Sequence, residues 1–211
     1  MVQLTVSIAA YAKTETIELD GRNTVVMDEN MDDLSTHKFM QAILGARISI
    51  PPEQMLYVVI SSNGGNYKSA LTLEGVLENT SSNSNITIIC KYCASSAGYV
   101  FATFKGTKLV IKSSRVLMHE MVLLRVSAVQ SMNKPILEDL QVNSDAFNKA
   151  MYSHLRISKE EYEKQIIGKE WNLYGEDIVK HHLADKLVNI HCNHYLEGVI
   201  PHTCANDDNA D

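Results

Sequence analysis

Two short, unbroken apolar runs constrain this chain most. Met55–Ile60 reads MLYVVI and Ile86–Ile89 reads ITII. Both are rich in β-branched residues and neither alternates with polar ones, which is the pattern of strands covered on both faces. Each run leads into small residues, Ser61-Ser62-Asn63-Gly64-Gly65-Asn66 after the first and Cys90 to Gly98 after the second. Helical patterns follow both turns. YKSALTLEGVLENT sets Ala70, Leu73 and Leu77 on one face, and a helix begun near Ser96 is expected through Phe104. This order of strands and helices favours βαβ units in a largely parallel sheet. The fold class expected is α/β, and 211 residues suffice for one such domain.

The flanks fill in the rest. TETIEL and NTVVM read as short strands joined by Asp20-Gly21-Arg22-Asn23, a hairpin-type turn. The acidic run DENMDD caps a helix in LSTHKFMQAILGA, with Leu34, Phe39, Ile43 and Leu44 as the apolar set and Gly45 as the stop; Ile48–Pro52 is then a linker. Leu109–Ile111 and Arg115–Met118 read as two strands around a Lys112-Ser113-Ser114 turn. MVLLRVSAVQ, after His119, fits a strand or a helix. Pro135 breaks or starts an element, and Ile136–Tyr152 is helical, with Ile136, Leu140, Phe147 and Met151 apolar. Ser158-x-x-Glu161 is a capping-box pattern for a helix that Gly168 stops. Glu176–Ala184 is a further helix and KLVNI a short strand. A single domain over residues 1–197 is expected, with a helical arm at about 132–155 and a polar tail over 198–211.

Composition excludes several classes. A net charge of −6 without a recurring basic patch argues against a nucleic-acid partner. No stretch approaches the length of a membrane span, and Gln3–Ala10 reads as a first strand rather than a signal, since no Lys or Arg precedes it. Four cysteines are too few and scattered for a disulfide framework; Cys90 and Cys93 read as free buried thiols, which points to a reducing, cytoplasmic compartment. The C-terminal group His181, His182, His191, Cys192, His194, His202 and Cys204 is spread over different elements, and Cys192-x-His194 is too tight for zinc spacing. No cofactor and no metal are expected.

Three features carry chemistry. A Gly-Gly pair directly after a buried strand lets the backbone turn an N–H toward a ligand oxygen, although such a pair alone is ordinarily just a turn. GGNYKSA matches neither a dinucleotide fingerprint nor a P-loop. Ala94-Ser95-Ser96-Ala97-Gly98 places a serine among small residues at a helix start, which serves a cap as well as a nucleophile. His119 ends a β-run, where its ring can leave the sheet edge toward that serine.

These segments resemble the Clp peptidase proteolytic subunit family, over roughly residues 24–190. SSNGG is similar to that family's Ser-Pro-Gly-Gly loop, and CASSAG to its Ala-Ser-Met-Gly segment. KGTKLVIKSSRVLMHE is similar to its Lys-Gly-Lys-Arg … Asn-Ser-Arg-Val-Met-Ile-His-Gln run. SHLRISKEEYEKQI and KEWNLYGEDIVKHHLAD resemble its later helix turn and its ending. The Ser-x-Gly pattern then selects Ser96 as nucleophile, His119 falls on the base, and Glu170 falls on the acid, where the family usually has aspartate. Gly65 and Ala97 fall on the two oxyanion-hole amides, and Asn63 replaces a proline.

The resemblance implies a crotonase/ClpP-like fold of stacked ββα units with a parallel-rich sheet and a protruding helical arm. It implies a serine endopeptidase acting on peptides or unfolded protein inside a homo-oligomeric ring, a heptamer or double heptamer, served by an AAA+ unfoldase in ATP-dependent fashion. The divergent flanks fit a phage-encoded or otherwise non-housekeeping member. The peptide is expected to lie extended near Gly64-Gly65 and Arg115–Met118, pairing like an added strand. Two other readings stay open: a catalytically inactive ClpP-like scaffold subunit, and a crotonase-type acyl-thioester enzyme. The Ser96/His119 pair argues against the latter, whose chemistry needs no serine nucleophile.

Overall fold

The computed structural model describes residues 14–81, 85–120, 134–193, 196 and 204, with the backbone alone for 134–140. The expected strand Gln3–Ala10, the run after His119 up to residue 133, and most of the C-terminal tail lie outside these residues. The strands are β1 (Thr16–Leu19), β2 (Thr24–Met27), β3 (Leu56–Ser62), β4 (Ile86–Ala94), β5 (Thr107–Met118), β6 (Trp171–Tyr174), β7 (Lys186–Leu187) and β8 (Asn189–Cys192). The helices are α1 (Asp33–Ser49), α2 (Tyr67–Ser81), α3 (Ser96–Thr103), α4 (Lys134–Leu155), α5 (Lys159–Ile166) and α6 (Gly175–Lys180).

The main sheet has the order β2-β3-β4-β5-β6, with β7 also pairing β5. Strands β2 to β5 are mutually parallel and β6 is antiparallel to β5. Alternation along the apolar runs divides them between two cores. Leu56, Val58, Ile60, Ile88 and Val110 face the helical layer, where Phe39, Ile43, Leu73, Phe101 and Met151 pack. Val59, Ile89, Leu109 and Ile111 face a small second sheet of β1 and β8, meeting Ile17, Leu19, Val188 and Ile190. Both faces are therefore dry, which is why β3 and β4 read as unbroken apolar runs.

Several local expectations need correction. TETIEL and NTVVM form no hairpin. β1 pairs with β8 in the small sheet and β2 with β3 in the large one, so the Asp20 turn carries the chain between sheets. That turn is closed by Arg22 N donating to Asp20 Oδ1 at 2.7 Å. α1 is capped as the acidic run implies, with Ser35 N donating to Asp32 Oδ1 at 2.7 Å and Asp32 N to Ser35 Oγ at 3.1 Å. It passes Gly45 and ends before Pro51, whose ring disfavours helix at the preceding residue. Leu34 and Leu44 are exposed; each lies about 100° around the helix from the buried Ser35 and Ile43.

β5 is one continuous strand across Lys112-Ser113-Ser114. Its register against β4 jumps between Cys90↔Val110 and Tyr92↔Arg115, and Ser114 sits in the jump. The Ser114 hydroxyl accepts from Ile111 N at 2.8 Å and donates to the Cys90 carbonyl, so an irregular stretch is satisfied in a fully buried place. Ser114→Ala leaves both groups unpaired, and urea unfolding is expected to show a loss of about 1–3 kcal/mol.

The same irregularity affects the thiols. Cys90 and Cys93 are joined by a disulfide, and Cys192 is joined to Cys204, so the expectation of free buried cysteines does not hold. Three steps of regular strand separate Cα atoms by about 10 Å; the bulge at Lys91 brings those of Cys90 and Cys93 to 6.0 Å. The inference from free thiols to a reducing compartment loses its premise. Among the described residues no helix is long and apolar enough to cross a membrane.

Candidate active site

Four chain segments meet at one edge of the main sheet. β3 ends at Ser62 and gives way to Asn63-Gly64-Gly65, β4 ends at Ala94 before the serine pair, and β5 ends at Met118 before His119. Because these strands are parallel, all three exits lie at the same edge, where open α/β sheets commonly bind ligands. β6 runs the other way, so its entrance lies there too. Its register pairs Met118 with Trp171, and the next position outward sets Glu170 opposite His119.

The glycine loop is shaped by contacts that exclude side chains. Gly64 has φ +81°, and a Cβ there would stand 2.4 Å from Ala94 O, 2.8 Å from Ser96 N and 2.9 Å from Ser95 Cβ. Gly65 has φ +141°, and its Cβ would meet Met31 O at 2.5 Å. Met31 N donates to Gly64 O at 2.7 Å, and Asn66 N donates to Met31 O at 2.6 Å. Gly64 N donates to Ser62 Oγ at 3.1 Å. The Gly65 N–H, between these two engaged amides, meets no acceptor among the described residues. Asn63 Nδ2 reaches Asn30 Oδ1 at 3.2 Å and ties the loop to the segment before α1.

At the serine pair the chain bends from strand into helix within one residue. Ser95 takes φ 54° and ψ −121°, and no side-chain cap hydrogen bond is present. Such a backbone costs about 1–3 kcal/mol and is held by its surroundings. Here Ser95 N donates to Leu117 O at 2.8 Å, and Gly64 presses from the other side. Every residue of α3 is buried, and its far end is fixed by the buried Lys108, whose Nζ donates to Ala102 O at 2.9 Å. Burial lowers the pKa of that lysine. The N–H groups of Ser96, Ala97 and Gly98 have no intrahelical acceptor, as at any helix start.

The two serines differ. Ser95 is half-buried and its hydroxyl has no partner among the described residues. Ser96 is only 3% exposed, and its Oγ faces Met31 Sδ at 3.6 Å. Neither is hydrogen-bonded to His119 among the described residues. Met31, 1% exposed, touches both the glycine loop and Ser96, and sequence reasoning missed it. A lone apolar residue inside DENMDD was the available signal.

His119 is half-buried, with Nδ1 against the main-chain oxygen of Glu120. A carbonyl only accepts, so this contact puts a proton on Nδ1, and in the neutral imidazole that tautomer leaves Nε2 as the acceptor a general base needs. The Glu120 carboxylate accepts from Gly168 N at 2.9 Å. Glu170 is exposed, and among the described residues no carboxylate pairs with His119. Catalytic hydrogen bonds often tighten only around substrate.

Part of the substrate expectation needs correction. Arg115–Leu117 pairs with β4 on one side and Arg115–Met118 with β6 on the other, so Arg115–Leu117 takes no added peptide strand, and the expected placement beside Gly64-Gly65 is untouched by this register. Among the described residues no group of three or more His, Cys, Asp or Glu could hold a metal. Of the C-terminal group, His191 faces Glu18 Oε2 at 2.7 Å and His181 packs edge-on against Trp171.

In comparison with curated proteins, no relative matches the sequence. The family model described as Clp protease matches residues 10–191, which takes in every segment at this edge of the sheet, and the chain belongs to the Clp protease family.

Proposed function

We propose that this protein is a serine endopeptidase that cleaves peptide bonds through an acyl-enzyme. The observation that carries the reading is the meeting, at one sheet edge, of a strained serine turn, a histidine whose Nδ1 faces a main-chain oxygen and a Gly65 amide that meets no acceptor among the described residues. The serine comes from the Ser95-Ser96 pair, of which the family motif selects Ser96. His119 takes the hydroxyl proton as the oxygen attacks, then returns it to the leaving amine. The amides of Gly65 and of the first turn of α3, with Ala97 as the motif's choice, receive the oxyanion. One such donor contributes about 3 kcal/mol in the transition state. Glu170, opposite His119 in the extended register, stabilises the imidazolium.

Family membership supports further parts of the proposal: a crotonase-like fold, a homo-oligomeric ring with α4 in its helical arm, and an ATP-dependent AAA+ unfoldase that delivers unfolded protein. The test is hydrolysis of a fluorogenic short peptide by the assembled protein. Turnover that disappears in His119→Ala is expected. Normal assembly without turnover instead favours a catalytically silent scaffold subunit, a reading to which the Ser96–Met31 contact and the exposed Glu170 lend support.

Glu170→Gln keeps shape but removes charge. The exposed position weakens its field at His119, so the expected loss in kcat/KM is about 10²-fold, below the ~10⁴ of a buried triad aspartate. An unchanged pH–rate profile and rate in that variant would remove Glu170 from the mechanism.

A further inference from the structure

We propose that the attacking serine is Ser95, and that Ser96 contributes its backbone N–H rather than its hydroxyl. This rests on the peptidase reading and changes which atom forms the acyl-enzyme.

Backbone conformation supplies the first argument. Among the described residues, three that are not glycine have positive φ: Ser95, Arg156 and His182. Arg156 follows the end of α4 and His182 the end of α6, where left-handed residues are ordinary. Ser95 instead stands between β4 and α3, with ψ −121°. A strand-to-helix turn strained at one residue throws that residue's side chain out at the apex, and the next residue's N–H points into the same space. Here the apex is Ser95 and the next amide is that of Ser96.

Access supplies the second. Ser95 is half-buried, with a hydroxyl that meets no partner among the described residues, whereas Ser96 is 3% exposed and covered by Met31 Sδ. The Met31 backbone is bonded on both sides to the glycine loop, which holds this residue beside Ser96. The third argument is the neighbourhood. Gly64 is packed so that a Cβ would lie 2.9 Å from Ser95 Cβ and 2.8 Å from Ser96 N. The glycine loop therefore adjoins the Ser95 side chain and the Ser96 amide together. Ser95 N is also bonded to Leu117 O, on the strand that carries His119.

In the reaction, Ser95 Oγ adds to the substrate carbonyl carbon as its proton passes to His119 Nε2. The C–N bond then breaks as that proton moves to the amine. Water repeats the sequence on the ester, releasing the acid and restoring the serine. The oxyanion is held by the N–H groups of Gly65 and Ser96.

The test uses an alkyl fluorophosphonate on the assembled wild-type protein. Serine Oγ displaces fluoride, forming P–O as P–F breaks, with the hydroxyl proton taken by His119. Peptide fragmentation between residues 95 and 96 locates the adduct. We expect it on Ser95, and at least a 100-fold slower labelling in Ser95→Gly, a residue that accepts the φ of this position. Matching thermal melts of the two proteins show that the loss is chemical. An adduct on Ser96 overturns this assignment and leaves the peptidase reading standing. No adduct on folded wild type overturns both.

Discussion

His119→Ala is expected to lower kcat for peptide hydrolysis by about 10⁴-fold or more, because among the described residues His119 is the base that the strand order brings to the serine turn. Stability should hardly change. The ring is half-buried, and its one described hydrogen bond goes to the adjacent residue's main chain. Substitutions of that kind move stability by about 0.5–1 kcal/mol. The kinetic effect should sit in kcat with KM nearly constant, since the base acts in the transition state. A loss below tenfold, with the protein folded and assembled, would take His119 out of the reaction. Imidazole added to the alanine variant is expected to restore part of the rate.

Gly64→Ala is the second large effect, and here stability and activity fall together. The new methyl would stand 2.4 Å from Ala94 O, 2.8 Å from Ser96 N and 2.9 Å from Ser95 Cβ. None of these is the far end of a flexible side chain, so the backbone must move. Overpacking of about 1–3 kcal/mol adds to about 1–2 kcal/mol for a non-glycine residue at left-handed φ. Urea unfolding should therefore show a loss of roughly 3 kcal/mol or more. Gly75→Ala is the control. It lies within α2, a Cβ there meets nothing within 4 Å, and helix propensity favours alanine by about 1 kcal/mol. Equal effects at the two positions would mean that the Gly64 contacts do not constrain the loop.

Much of the scaffold was legible because its causes are local. MLYVVI and ITII read as strands buried on both faces, and Ala70, Leu73 and Leu77 do face the core of α2. The Ser158-x-x-Glu161 pattern does cap α5, with Glu161 N donating to Ser158 Oγ at 3.1 Å. Strand ends were legible as Gly-Gly, serine-pair and histidine positions, because parallel strands must leave the sheet at a common edge.

What failed depends on partners far along the chain. β1 pairs with β8, whose residues lie over 170 positions away, and nothing in TETIEL encodes that choice over a hairpin. Lys112-Ser113-Ser114 looked like a turn because the Cys90 carbonyl that accepts from Ser114 belongs to another strand. The Cys90–Cys93 link needs a bulge set by the β4 register with its neighbours. Within the site, a motif of residue types cannot separate Ser95 from Ser96. Their difference is conformational, imposed by Gly64 and by Met31, which lies inside the acidic run DENMDD and was not singled out there.

The central claim is that this chain activates one serine. Intact-mass measurement of the folded, assembled protein after brief exposure to a fluorophosphonate tests it most directly. One adduct per chain is predicted, lost on prior unfolding in urea and lost in His119→Ala. A folded protein that takes up no adduct, or labels equally well without His119, would contradict it.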